Sequence, residues 1–158
     1  MIARIAVLSF ALLPLGAAQS WAASEDKVIE LTQVACQFVE SEKGVDHGFE
    51  TQSKADCEKI NARTAEARLE EAKTLRLEAG TYTFKVTNKD VPYVLGFWVR
   101  EADYNPNNPA HKLTKTSVSG GGLEMGETES YEVDLAPGTY VYSCPLNPTP
   151  DYKLVVEG

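Results

Sequence analysis

Residues 135–152 read L-A-P-G-T-Y-V-Y-S-C-P-L-N-P-T-P-D-Y and constrain the fold more than any other stretch of this chain. Pro137-Gly138 is a turn signal, and the residues after it alternate so that Tyr140, Tyr142 and Cys144 share one face. A period of two is that of a β-strand with one side in a core. Pro145, Pro148 and Pro150 follow, each fixing φ and removing a backbone donor. The strand must therefore end, and a stiff loop must carry Cys144 at its mouth.

The remainder of the chain reads as further strands around one helix. Residues 28–39 alternate imperfectly, with Val28, Ile29, Leu31, Val34, Cys36 and Phe38 apolar, and are expected as a strand. Residues 40–52 are polar and read as loop. Ser53 with Asp56 makes a capping-box pattern, and residues 54–72 hold strong helix formers without glycine or proline. The apolar stripe of that helix (Cys57, Ile60, Thr64, Ala67, with Leu69 to one side) is thin, so it is expected on the surface of a larger core. From Leu75 onward the pattern is β: Tyr82, Phe84 and Val86 alternate with polar residues, and residues 91–99 are apolar on both faces. Residues 104–122 are rich in Asn, Pro, Gly, Ser and Thr and read as one long loop. Tyr131, Val133 and Leu135 mark another strand, and residues 152–156 the last. The expectation is a mainly β, Greek-key sandwich of about seven strands with one inserted helix, in a single domain over residues 23–158.

Met1 to Ala22 has the form of an export signal: Arg4, an apolar run, then Ser20-Trp21-Ala22 as a cleavage site. Cleavage after Ala22 or Ala23 and a periplasmic or secreted fate are expected, without later membrane insertion. The formal charge of −8, and −9 once Arg4 is lost, disfavours nucleic acid and anionic lipid as partners. Three cysteines enter an oxidising compartment, and an odd number leaves one without an intramolecular partner. Cys36 and Cys57, close in sequence, are the expected disulfide; pairing of Cys144 with either is the alternative. No nucleophile motif or Gly-rich phosphate loop is present, so an enzyme of acyl or phosphoryl transfer is not expected.

Residues 75–158 resemble a cupredoxin. The resemblance rests on G-T-Y-T-F-K-V-T-N (80–88), V-P-Y-V-L-G-F (91–97) and L-A-P-G-T-Y-V-Y-S-C-P (135–145). It extends to the cupredoxin-like domain of periplasmic components of bacterial ferrous-iron uptake, which keeps a cysteine after a similar strand. A blue-copper centre takes one Cys and two His in a plane, with a weak axial Met. The resemblance aligns Cys144 with the cysteine, Tyr93 with the first histidine, Leu146 or Asn147 with the second and the vicinity of Asp151 with the methionine. Three of the four positions therefore lack their usual ligand, and a standard blue-copper electron carrier is not expected.

The other candidate metal donors are His47, in the loop V-D-H-G-F; His111, in the Asn/Pro-rich loop; and Met125, in G-L-E-M-G-E. Each also has an ordinary reading, as solvated loop histidines and a packing methionine. The leading expectation is an exported protein that binds or passes copper or iron near Cys144, with Met125, His47 or His111. The alternative is a metal-free scaffold that docks a periplasmic protein through the Asn/Pro-rich loop and a surface holding Tyr93, Asn147, Pro148, Pro150 and Asp151.

Overall fold

The computed structural model describes residues 27–158; the expected export signal lies outside the described residues. Nine strands among these residues form two sheets. β1 (Lys27–Val34), β2 (Gln37–Phe38), β4 (Gly80–Asn88) and β7 (Thr128–Leu135) make one, in the order β2-β1-β4-β7. β3 (Leu75–Glu78), β5 (Leu95–Glu101), β6 (Ser117–Leu123), β8 (Gly138–Ser143) and β9 (Tyr152–Glu157) make the other, in the order β3-β9-β8-β5-β6. β1 runs parallel to β4 and β3 parallel to β9, while the other pairings are antiparallel. The β-sandwich with one long helix matches the expected class, with β2 and β6 taking the strand number past seven.

Period-two patterning explains which side chains meet between the sheets. Tyr82, Phe84 and Val86 of β4 and Tyr131, Val133 and Leu135 of β7 face Leu95, Phe97 and Val99 of β5 and Tyr140 and Tyr142 of β8. Phe38, Phe84, Phe97, Tyr142 and Tyr152 form a continuous aromatic cluster with centroids 5.2–6.3 Å apart. Each such ring brings a large apolar area out of water, and tilted contacts add to it.

Four local expectations are corrected. The strand expected over residues 28–39 breaks at Cys36, whose φ of 62° is left-handed. Residues 91–94 are not strand: the buried Asn88 accepts from Val91 N and donates to Val91 O, holding a turn before β5 begins. Trp98 is only half-buried, beneath the Arg100 guanidinium at 3.9 Å. The stretch expected as one loop over residues 104–122 contains a helical turn, α2 (His111–Thr114), and most of β6. Gly120 serves close approach on both sides: a Cβ on Gly96 of β5 would stand 2.4 Å from Gly120 O, and one on Gly120 2.6 Å from a Tyr131 ring carbon. Composition alone reads such a run as loop, whereas packing requires it as strand.

α1 (Lys54–Glu71) is where expected, but its inward face is polar. Ala67 and Leu69 are exposed, whereas Cys57 and Arg68 are buried. At its start Asp56 accepts from Gln52 N and Ser53 Oγ, a variant of the expected box, and backbone N–H donation from Gln52 leads the causes holding that carboxyl below its usual range. Arg68 reaches from α1 to Glu42 in the 3-10 turn Glu40–Glu42, with Nη2 at 2.6 Å and Nε at 3.1 Å from its carboxylate. Arg68 also donates to Cys36 O at 2.9 Å and to Asn61 Oδ1 at 2.9 Å, and Tyr152 OH donates to Glu42. The Cys36–Cys57 disulfide, spanning 21 residues, ties the same insert to β1. Restricting a loop of that length stabilises the fold by about 3 kcal/mol.

A buried charge without its partner is strongly unfavourable. Arg68→Met is therefore expected to cost about 3–5 kcal/mol in urea unfolding. Burial alone pushes the Glu42 carboxyl up, but hydrogen bonds from Arg68, Tyr152 and His47 and the Arg68 charge outweigh it, and the net shift is below the ordinary 4.5. A folded-state value lower than the unfolded one gives stability that is complete above the unfolded value and is lost as pH falls through the folded value. Thermal stability should thus fall below about pH 4.5, and Glu42→Gln should flatten that part of the profile.

Candidate functional site

β8 delivers Cys144 to the end of the sandwich, and the loop after it folds back on itself. Cys144 N donates to Thr149 Oγ1 at 3.1 Å, and Asn61 of α1 donates to Pro148 O at 2.6 Å. Cys144 is the free cysteine and is 1% exposed. Its Sγ accepts from Gly96 N at 3.4 Å and Asn147 N at 3.2 Å. Burial pushes the thiol pKa up, and these donors pull it part of the way back. The group is a neutral thiol in a pocket whose donors favour the thiolate, so a nearby cation would shift the balance.

Asn147 is completely buried, and both its carboxamide oxygen and its nitrogen are hydrogen-bonded. Oδ1 accepts from Cys36 N at 3.0 Å and Tyr93 OH at 3.1 Å, while Nδ2 donates to Val34 O at 2.9 Å. Cys57 Sγ also lies 3.0 Å from Oδ1. That sulfur belongs to the disulfide and carries no proton, so the approach is a sulfur–oxygen contact and not a hydrogen bond. Tyr93 OH lies 3.1 Å from Thr51 Oγ1, and burial raises the phenol's pKa. The side chains aligned with histidine ligands thus hold the 34–36 turn and the disulfide against the Cys144 loop.

Asp151, near the aligned methionine position, pairs with Arg100 at 2.7 Å, and Pro148 and Pro150 flank the loop. His47 Nε2 lies 2.5 Å from Glu42 Oε2, with its ring stacked on Phe49. His111 Nδ1 accepts from Asn105 N in a loop that leaves the far end of β5, where Ala102 N bonds Thr139 O at the opposite end of β8 from Cys144. Met125 occupies the β6–β7 turn, 60% exposed. The structure therefore holds His47 on Glu42, His111 at the opposite end of β8 from Cys144 and Met125 at an exposed turn. Among the described residues no three His, Cys, Asp or Glu side chains are grouped to hold a metal ion.

Sequence reasoning missed Gln33 and Gly96, both part of this site. Gln33 falls on the apolar face of β1 at the spacing Ile29, Leu31, Gln33, which is a legible signal: a polar side chain in line with core residues needs a buried partner.

No protein-family model and no curated protein matches the chain. Solved structures do. Auracyanin B is similar at 14% identity over 87% of this chain and 93% of its own, with a TM-score of 0.50. Auracyanin A, a "blue" copper protein from the green thermophilic photosynthetic bacterium Chloroflexus aurantiacus, is similar at 16% identity over 84% of this chain and 100% of its own, also at 0.50. The chain has the cupredoxin fold. The blue-copper donor set does not fit its residues, because Tyr93 and Asn147 supply no imidazole and are committed to internal bonds.

Asn147→Ala removes the Asn147 partners of the buried Cys36 N–H and Val34 C=O. It is expected to cost about 3 kcal/mol in urea unfolding, and Tyr93→Phe about 1 kcal/mol.

Proposed function

We propose that this is an exported protein that binds or passes a metal ion, copper or iron, through Cys144, and that it is not a blue-copper electron carrier. The observation that carries the reading is the convergence of two backbone N–H groups on a buried free sulfur. A neutral thiol is a weak acceptor and does not need them, whereas a thiolate does. The cupredoxin fold supports a copper-related role, and the resemblance of residues 135–145 aligns Cys144 with the thiolate ligand. Among the described residues no helix is long and apolar enough to cross a membrane, which is compatible with export, as is the leader-like sequence of residues 1–22.

A second reading is favoured by Asn147 and Tyr93, whose polar atoms are spent inside the protein. It is a metal-free scaffold that docks a periplasmic protein through the Pro145–Pro150 loop and its neighbours. Titration of the purified protein with Cu(I), Cu(II) and Fe(II) separates the two. The metal reading expects stoichiometric uptake of at least one ion, abolished by Cys144→Ser, without the intense visible band of a blue-copper centre. No uptake by the wild type, or equal uptake by the variant, would favour the scaffold.

A further inference from the structure

Ser41 of the 3-10 turn and Tyr142 of β8 are each 2% exposed, and their hydroxyl oxygens lie 2.7 Å apart. Among the described residues neither hydroxyl has a second partner. Each brings one proton to the contact, and only one proton can lie between the two oxygens. Whichever of them donates, the other O–H is left without an acceptor, and buried donors in that state are rare. Both residues border a cavity of about 240 Å³ between β1, the 3-10 turn and the start of β3, where Ile29, Leu31 and Leu75 supply apolar walls. The turn is fixed before anything enters: Lys73 N donates to Ser41 O at 2.8 Å, and Thr32 N donates to Glu40 Oε2 at 2.7 Å. The buried part of the lining, Leu31, Ser41 and Tyr142, carries no opposite charge for an ion, which would lose its hydration there without compensation. At the exposed border stand two carboxylates, Glu30 and Glu40, against the single ammonium of Lys73, which disfavours an anion further.

We propose that this cavity binds a neutral small molecule with an apolar body and a carbonyl oxygen, the oxygen accepting the spare proton of the Ser41–Tyr142 pair. A carbonyl accepts without bringing a proton of its own, whereas a ligand hydroxyl would bring one more. Pockets for drug-sized ligands run from about 300 Å³ upward, so this smaller one takes a molecule of about one ring. The inference goes beyond the metal reading and does not depend on Cys144.

The test follows the amide NMR signals of the purified protein during titration with acetophenone and, separately, with α-methylstyrene, in which a CH2 group replaces the carbonyl oxygen. Acetophenone is expected to shift the signals of residues 29–31, 40–42 and 73–75 to saturation. The ratio of the two affinities, compared between variants, cancels the stronger hydration of the ketone. Ser41→Ala and Tyr142→Phe each leave one hydroxyl with a proton to give, so either alone should keep that ratio within about twofold of wild type. The double variant has no proton to give, and its ratio should fall about tenfold in favour of α-methylstyrene. Continued binding of α-methylstyrene by the double variant shows that the cavity itself has survived. Ile29→Trp, which fills the cavity from β1, should weaken both probes. An unchanged ratio in the double variant overturns the proposal, as do signal shifts confined to other parts of the protein. No saturable binding of acetophenone by the wild type overturns it too, with water then meeting the spare proton.

Discussion

The buried ion pair of Arg68 with Glu42 holds the rest of the architecture in register. One guanidinium joins α1 to the 3-10 turn, to the backbone carbonyl of Cys36 and, through the shared carboxylate, to Tyr152 of the last strand. Asn61, another Arg68 partner, extends the connection to Pro148 in the cysteine loop. This pair and the Cys36–Cys57 disulfide hold α1, since its inward face offers only a few apolar atoms. Continuum reasoning makes a buried pair a poor net source of stability, so its value here is in fixing one arrangement of insert and sandwich.

Asn147 is the second joint. The disulfide brings Cys36 to α1, and the asparagine brings both to the loop that carries Cys144. Its carboxamide completes a hydrogen-bond network on one side of the sulfur. On the other side, Gly96 and Gln33 supply the surroundings that a thiolate would require.

Most of the sandwich was legible because its strands follow the simplest rule available. Alternation at Tyr82, Phe84 and Val86, and again at Tyr140 and Tyr142, marks core faces directly, and α1 announced itself by composition. Two of the failures depended on a distant residue, while the turn at 91–94 and the cover on Trp98 came from the near neighbours Asn88 and Arg100. The break at Cys36 answers to Asn147, 111 residues away. At Gly120 the Tyr131 ring leaves no room for a side chain, which composition cannot reveal. At the site, Cys144 was legible because a strand and three prolines framed it. Gln33 carried a signal, a polar residue in line with Ile29 and Leu31, but not its partner, because Gly96 lies 63 residues further on.

The parallel pairing of β3 with β9 sets a further consequence, in time. Leu75 meets Leu154 and Glu78 meets Glu157, so a sheet edge formed early in the chain is completed only by its last residues. The carboxylate of Glu42 likewise awaits the hydroxyl of Tyr152. Contacts between such remote segments form slowly, since long loops must close before any of them is rewarded. The sheet that holds β3 therefore stays incomplete until residues 152–157 are in place, because β3 pairs with β9 alone, whereas the sheet of β2, β1, β4 and β7 needs nothing beyond residue 135.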